Sequence, residues 1–173
     1  MPNLAWGTVS VTGTKENVLK FTKRFLYDDI EPDIPYFARS FVQSPRSDTV
    51  NEINKCFKHL SLEIKVAYTF YVDFAWSAYS CLIDGYPQKY PEDCIALKDA
   101  CIADNVSVEI KTEEPGFVFE EEIFCSEDGS LDEHSRDLLS FACEHCGRCN
   151  FVASFGDPVD YECNECSKPL VLA

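Results

Sequence analysis

Basic residues are scarce in this chain of 173. Fifteen Lys and Arg stand against 30 Asp and Glu, for a net charge of −15. A protein that grips a phosphate backbone needs the opposite balance, so the footprint of a nucleic-acid binder is missing. Histidine is limited to His59, His134 and His145, and no His-Glu-x-x-His pair occurs, which excludes a hydrolytic zinc helix of that type. No glycine-rich phosphate loop forms: Gly13-Thr14-Lys15 has the wrong order and no partner glycine at the required distance. No apolar run is long enough to span a bilayer. The opening MPNLAWGTVSVTGTKENV lacks the basic stretch and apolar core of a signal peptide, so a cytoplasmic protein with reduced thiols is expected. No nucleophile–base pair stands out, and the expectation is a protein that is not an enzyme.

Two things are plentiful: acid and cysteine. A hydrophobic share of 46% and an aromatic share of 13% support a real core. The length suits one medium domain, or one domain with a small appendage.

Four of the ten cysteines fall in two Cys-x-x-Cys pairs, Cys143/Cys146 and Cys163/Cys166, bracketing a segment that reads as a short hairpin. Each pair can wrap a turn around one metal, and two pairs make a tetrahedral four-thiolate site. Gly147 follows the first pair, where the turn requires a residue tolerant of positive φ. Leu170-Val171-Leu172 can supply a closing strand. Zn²⁺ bound by four cysteines has no open position for water, so one structural zinc per chain is expected. So short a ribbon buries little apolar surface, and the metal should supply folding free energy on the order of 10 kcal/mol. Cys146-x-x-Cys149 is a rival pair and His145 a rival nitrogen donor. A redox Cys-x-x-Cys belongs at a helix N-terminus in a βαβ setting, which is absent here. Cys56, Cys81, Cys94, Cys101 and Cys125 fall in or near apolar patterns and read mostly as core.

The acids are unevenly placed. Residues 112–137 carry ten acids and one base, whereas residues 1–111 carry 15 acids and 12 bases. Glu113, Glu114, Glu120, Glu121, Glu122, Glu127, Asp128, Asp132 and Glu133 therefore form the candidate surface for a basic partner. A merely solubilising face is the commoner reading of such a run. Glu120 and Glu122 share a strand parity and should project from one face. His134 stands among Asp132, Glu133 and Asp137, a weak second metal site at most.

Along the chain, residues 4–12 alternate as a strand, and Thr14 caps a helix running to about Leu26 with Val18, Phe21 and Phe25 on one face. Residues 27–35 form a loop, and Tyr36 to Val42 suit a second strand. Thr49-x-x-Glu52 looks like a capping box before a short helix, with Ile53, Phe57 and Leu60 on one side. From Leu62 to Trp76 the alternation is long enough for one strand, or for two joined by a bulge. Pro91 suits the start of a helix through Cys94, Leu97 and Cys101 to Asn105. Val106, Val108 and Ile110 then alternate, and FVFEEEIF follows as a hairpin partner. Ser126 to Ser130 is a turn, and Leu131 to Leu139 reads as a short helix leading into the ribbon. With the short helix before Leu62 read as an insertion, the core of this order is βαββαβ, the split arrangement of ferredoxin-like folds. The expectation is an α+β protein: a ferredoxin-like antiparallel sheet with an added hairpin over residues 1–137, then a zinc ribbon over 138–173.

Several short motifs bear on family. Met1-Pro2-Asn3 opens the chain, followed by Leu4 and Trp6. The central strand closes on Asp73-Phe74-Ala75-Trp76-Ser77, Tyr90-Pro91 gives the helix start that follows it, and Thr112-Glu113-Glu114-Pro115-Gly116 follows the last core strand. With these, residues 1–125 resemble the YubB-type ferredoxin-like family of phage and plasmid proteins. The family opens Met-Pro-Asn-Trp and has a Tyr in the last motif; here Trp is displaced to Trp6 and that Tyr is absent. The resemblance implies the fold and a mobile-element origin, and it carries no catalytic residues.

A rigid acidic protein in such a setting is expected to bind a basic host protein, one that itself binds nucleic acid, and to inhibit it, as an opponent of host defence would. Zinc ribbons and ferredoxin-like sheets also serve as nucleic-acid-binding regulatory modules. A basic patch on this body can be built from Lys20, Lys23, Arg24, Arg39 and Arg46.

Overall fold

The computed structural model describes residues 4–25, 35–42, 46–83, 94–114, 118–152 and 161–170, with residues 41, 42, 46–50 and 152 described in their backbone only. The elements are β1 (Leu4–Thr14), α1 (Lys15–Lys23), β2 (Ser40–Val42), α2 (Arg46–Cys56), β3 (Lys65–Ala75), α3 (Ala78–Leu82), α4 (Leu97–Asp104), β4 (Ser107–Glu114), β5 (Phe119–Cys125), β6 (Leu131–Asp137), β7 (Leu139–Ala142) and β8 (Cys149–Val152). Six strands form one antiparallel sheet in the order β2-β3-β1-β4-β5-β6, and β7 and β8 form a separate two-stranded hairpin.

Period-two alternation builds the sheet. β1 buries Ala5, Val9 and Val11, β3 buries Phe70, Val72 and Phe74, and β4 buries Val108 and Ile110. These share one cluster with Val18 and Phe21 of α1, Cys81 and Leu82 of α3, and Leu97, Ala100 and Cys101 of α4. One face of the sheet is therefore sealed by helical side chains. Phe25 anchors the cluster, with its ring 4.6 Å from Phe37 and 5.3 Å from Phe70, edge-on to the latter.

β3 is a single strand, and it starts three residues later than the alternation suggests. Leu62 and Ile64 keep the parity but are exposed. Their carbonyls accept from the N–H groups of Glu16 and Lys15, at 3.2 and 2.9 Å. Residues 62–64 thus satisfy orphan donors at the start of α1 instead of pairing in the sheet. Thr14 caps that helix as expected, its Oγ1 accepting from Asn17 N at 3.3 Å. The helix ends earlier than expected, at Lys23, with Arg24 as its C-cap.

Other expectations need correction. α2 is already helical three residues before Thr49, so Thr49 is inside the helix and no capping box opens there. Phe57 and Leu60 lie beyond its end, and Cys56 is exposed rather than core. α4 begins at Leu97, not near Pro91: Cys94 pairs with Tyr36 in a parallel bridge, and Ile95 N donates to Tyr36 O at 3.0 Å. Pro91 itself lies outside the described residues, as do residues 27–34 of the expected loop 27–35 and the closing Val171-Leu172. The left-handed C-cap at Asn105, φ 50°, falls where the helix was expected to stop. α3 was not foreseen.

The largest correction is β6. The segment LDEHSRD is a strand, paired with β5 from Cys125↔Leu131 to Phe119↔Asp137. It is the sheet's outer edge and all seven residues are exposed. A strand with no buried face leaves no alternation to read.

Candidate metal centre

The ribbon is built from two turns of the same design. β7 leads into Cys143, whose N–H donates to Arg148 O while its carbonyl accepts from Gly147 N, both at 2.8 Å. In the second turn Cys163 N donates to Lys168 O, and Cys163 O accepts from Ser167 N, again at 2.8 Å each. Gly147 sits at φ 73° and Ser167 at φ 54°. Each turn thus needs a left-handed residue directly after its second cysteine, and the second turn meets this with a serine. The arms differ: β7 and β8 flank the first turn, so this hairpin surrounds a cysteine pair, and residues 153–160 of the segment between the pairs lie outside the described residues. A single antiparallel bridge, Glu162↔Pro169, closes the second, and Leu170 N donates to Tyr161 O at 2.7 Å.

These turns bring Cys143, Cys146, Cys163 and Cys166 together, with all four sulfurs within 4.8 Å of one another. The Cys143–Cys166 and Cys146–Cys163 sulfur separations are both 3.6 Å. That is far beyond a disulfide's length of about 2.05 Å. It is close to the edge of about 3.8 Å in a tetrahedron whose sulfurs sit 2.3 Å from a central ion. The donor set and its geometry fit a tetrahedral metal ion, and zinc is consistent with both. Cys149 and His145 fall outside this group: Cys149 pairs with Ala142 in the hairpin, and both side chains are exposed. Among the described residues no other cluster of metal-ligating side chains forms. His134 Nε2 lies 3.6 Å from Asp132 Oδ1.

The thiol electrostatics favour a thiolate at Cys163. The N–H groups of Cys166 and Glu165 donate to it, with further help from Asn150, and bring it down to about 6. Cys146 accepts a bond from the Arg148 N–H that favours its thiolate, yet burial and the neighbouring thiols push it up to about 12. Four sulfurs this close cannot all hold negative charge unless a cation sits among them.

No protein-family model, curated protein or solved structure matches the chain.

The candidate acids do not form one surface. Glu114, Glu120 and Glu121 are buried. Glu120 pairs with Arg136 Nε at 2.5 Å, across β5 and β6. Glu121 Oε2 accepts from Ala78 N at 2.8 Å and from Thr112 Oγ1 at 3.1 Å, which ties the start of α3 to the sheet. Burial raises its pKa against those bonds. Glu122 is half-buried, 3.2 Å from Lys111 Nζ. Glu113 accepts from Trp6 Nε1 at 2.5 Å. Asp128 is exposed but engaged within its turn by Ser126 Oγ and Ser130 N, which hold its carboxyl down to about 2. Glu127, Asp132 and Glu133 are exposed. Glu120 and Glu122 do share a face, as their parity suggests.

Three of the five residues of the candidate basic patch are already engaged. Arg24 is buried against Asp104, which Lys20 also contacts at 2.8 Å, and Arg39 lies 5.0 Å over the Trp76 ring. Arg46's side chain lies outside the described residues. No described helix is long and apolar enough to cross a membrane.

Proposed function

We propose that this is a non-enzymatic interaction protein, clamped at its C-terminal end by one structural Zn²⁺ on Cys143, Cys146, Cys163 and Cys166. The ion would hold two turns that have few apolar contacts of their own. Four thiolates complete zinc's shell, so its role there is to fix geometry and not to activate water. The strand order β2-β3-β1-β4, with α1 between β1 and β2 and α4 between β3 and β4, supports reading the body as ferredoxin-like, extended by β5 and β6. A YubB-type phage or plasmid origin remains part of this proposal.

The partner is a basic, nucleic-acid-binding host protein, and binding would inhibit it, as in countering a host defence. The observation that carries this reading is the outer edge of the sheet. There the fully exposed β6 and the turn before it present Glu127, Asp132 and Glu133 within a chain of net charge −15. Individual exposed ion pairs contribute only about 0.2–1 kcal/mol. Such a surface therefore acts through its summed field, which speeds encounter with a cationic groove and competes there with phosphates.

Affinity capture from the host, followed by reversal of Glu127, Asp132 and Glu133 to Lys, tests the reading. Capture of one basic protein that weakens with the reversal and with added salt supports it. A partner that ignores both contradicts it.

A further inference from the structure

The sheet face opposite the helices carries a cavity of about 310 Å³. Cross-strand pairing sets its make-up. One row runs Asp73, Trp6, Glu113, Glu120, Arg136, and the next runs Tyr71, Thr8, Lys111, Glu122, His134. Trp6 and Tyr71 rise from adjacent strands in adjacent rows and stay 44% and 63% exposed, although both are large aromatic rings. Gly7 lies between them, and a Cβ there would fall 1.9 Å from Lys111 O. The absence of that side chain lets β1 and β4 lie close together there. Glu113 and Glu120 line the same cavity.

Its size is at the small end of ligand sites, about 300–1,000 Å³, so it suits one side chain rather than an extended ligand. Its charge selects the ligand's sign. Lys111 is already held between Glu109 and Glu122, at 3.0 and 3.2 Å, and Arg136 is engaged by Glu120. Asp73 and Glu113 flank Trp6 in its row. The bond from Trp6 Nε1 uses Glu113 Oε1, which orients the carboxylate beside the indole ring. Aromatic faces next to a fixed carboxylate attract a planar cation and repel a phosphate. The chain's other tryptophan shows the same preference, with Arg39 stacked over it.

We propose that this cavity is an arginine-binding site that anchors one guanidinium of the basic partner, between Trp6 and Tyr71 and against Glu113. The inference rests on the interaction reading above and names where the partner is gripped.

The test titrates N-acetylarginine methylamide into the ¹⁵N-labelled full chain and follows the two indole N–H signals by NMR. The Trp6 signal should shift saturably while the Trp76 signal stays put. Tyr71→Ala and Glu113→Gln should each weaken binding about fivefold. Tyr71 is largely exposed, so its variant stays folded, which the unchanged remainder of the spectrum verifies. Adenosine monophosphate should leave Trp6 unmoved. No shift with the arginine amide, or an equal shift with the nucleotide, overturns the assignment.

A polyarginine peptide, measured by calorimetry on the same variants, separates the two levels of inference. Peptide binding lost on reversing Glu127, Asp132 and Glu133 but untouched by Tyr71→Ala keeps the acidic-interaction reading and overturns the anchor. A Trp6 shift with the arginine amide alongside no peptide binding keeps the site and overturns that reading.

Discussion

Asn150 Nδ2 lies 3.6 Å from Cys163 Sγ, while its Oδ1 accepts from Asn164 N at 3.0 Å. One buried side chain on β8, in the hairpin of the first turn, thus holds the second turn by both its backbone and its thiolate. It also donates to Arg148 O at 2.9 Å, within the first turn. Groups that orient metal ligands in this way typically contribute about 10–100-fold to affinity. Asn150→Ala should lower zinc affinity by about that factor, read by competition against a chromophoric chelator. Asn150→Asp should cost more, because a carboxylate replaces the donor to a thiolate. Equal affinities across the three proteins would show that the contact is incidental.

Metal removal should divide the molecule. With EDTA, or in Cys143→Ser, amide signals of residues 139–152 and 161–170 should collapse to unfolded shifts. The six-stranded body has its own buried cluster and should keep its dispersion. Hydrogen exchange or NMR on the chelated protein checks this.

Arg24 and Asp104 make a two-point buried ion pair, Nε–Oδ2 2.6 Å and Nη2–Oδ1 2.8 Å, joining the ends of α1 and α4. Removing one partner strands the other charge in the interior, which usually costs about 3–5 kcal/mol. Asp104→Ala should lower the urea-unfolding free energy of the body by about 3 kcal/mol. The double variant Arg24→Met/Asp104→Leu should recover much of that loss. A double variant as unstable as the single would mean that the geometry of this corner matters more than its charge.

Glu121 gives the body a pH dependence of defined sign. Burial raises its folded pKa above the ordinary 4.5, so the folded state takes up a proton that the unfolded chain releases. Its contribution is greatest below 4.5 and is lost as pH rises through the raised value. Glu121→Gln can still accept from Ala78 N and Thr112 Oγ1 but cannot ionise. The stability difference between Glu121→Gln and the parent should therefore grow in favour of the variant from acidic to neutral pH. Urea titrations of both proteins across that range, at fixed zinc, measure it.

The four-cysteine cluster and most of the sheet were legible in the sequence for physical reasons. The two cysteine pairs announce themselves by spacing, and β1, β3 and β4 bury one face, so their side chains alternate. What was not legible had no such pattern. β6 is exposed throughout, so Leu131–Asp137 carries no period. α3 is only five residues long and depends on Glu121, 43 residues away, for its first N–H. The late start of β3 follows from carbonyls of Leu62 and Ile64 being used by α1, a tertiary fact with no local signature. The burial of Glu114, Glu120 and Glu121 was hidden because a run of acids looks alike whether it lies on an edge or between paired strands.

Native mass spectrometry of the purified chain, alongside elemental analysis, tests the central claim most directly. The expected result is one zinc ion per chain, with Cys143, Cys146, Cys163 and Cys166 protected from alkylation until a chelator is added, while exposed Cys56 and Cys149 react at once. A metal-free protein whose residues 139–152 and 161–170 are folded, or four thiols that alkylate as fast as Cys149, would contradict it.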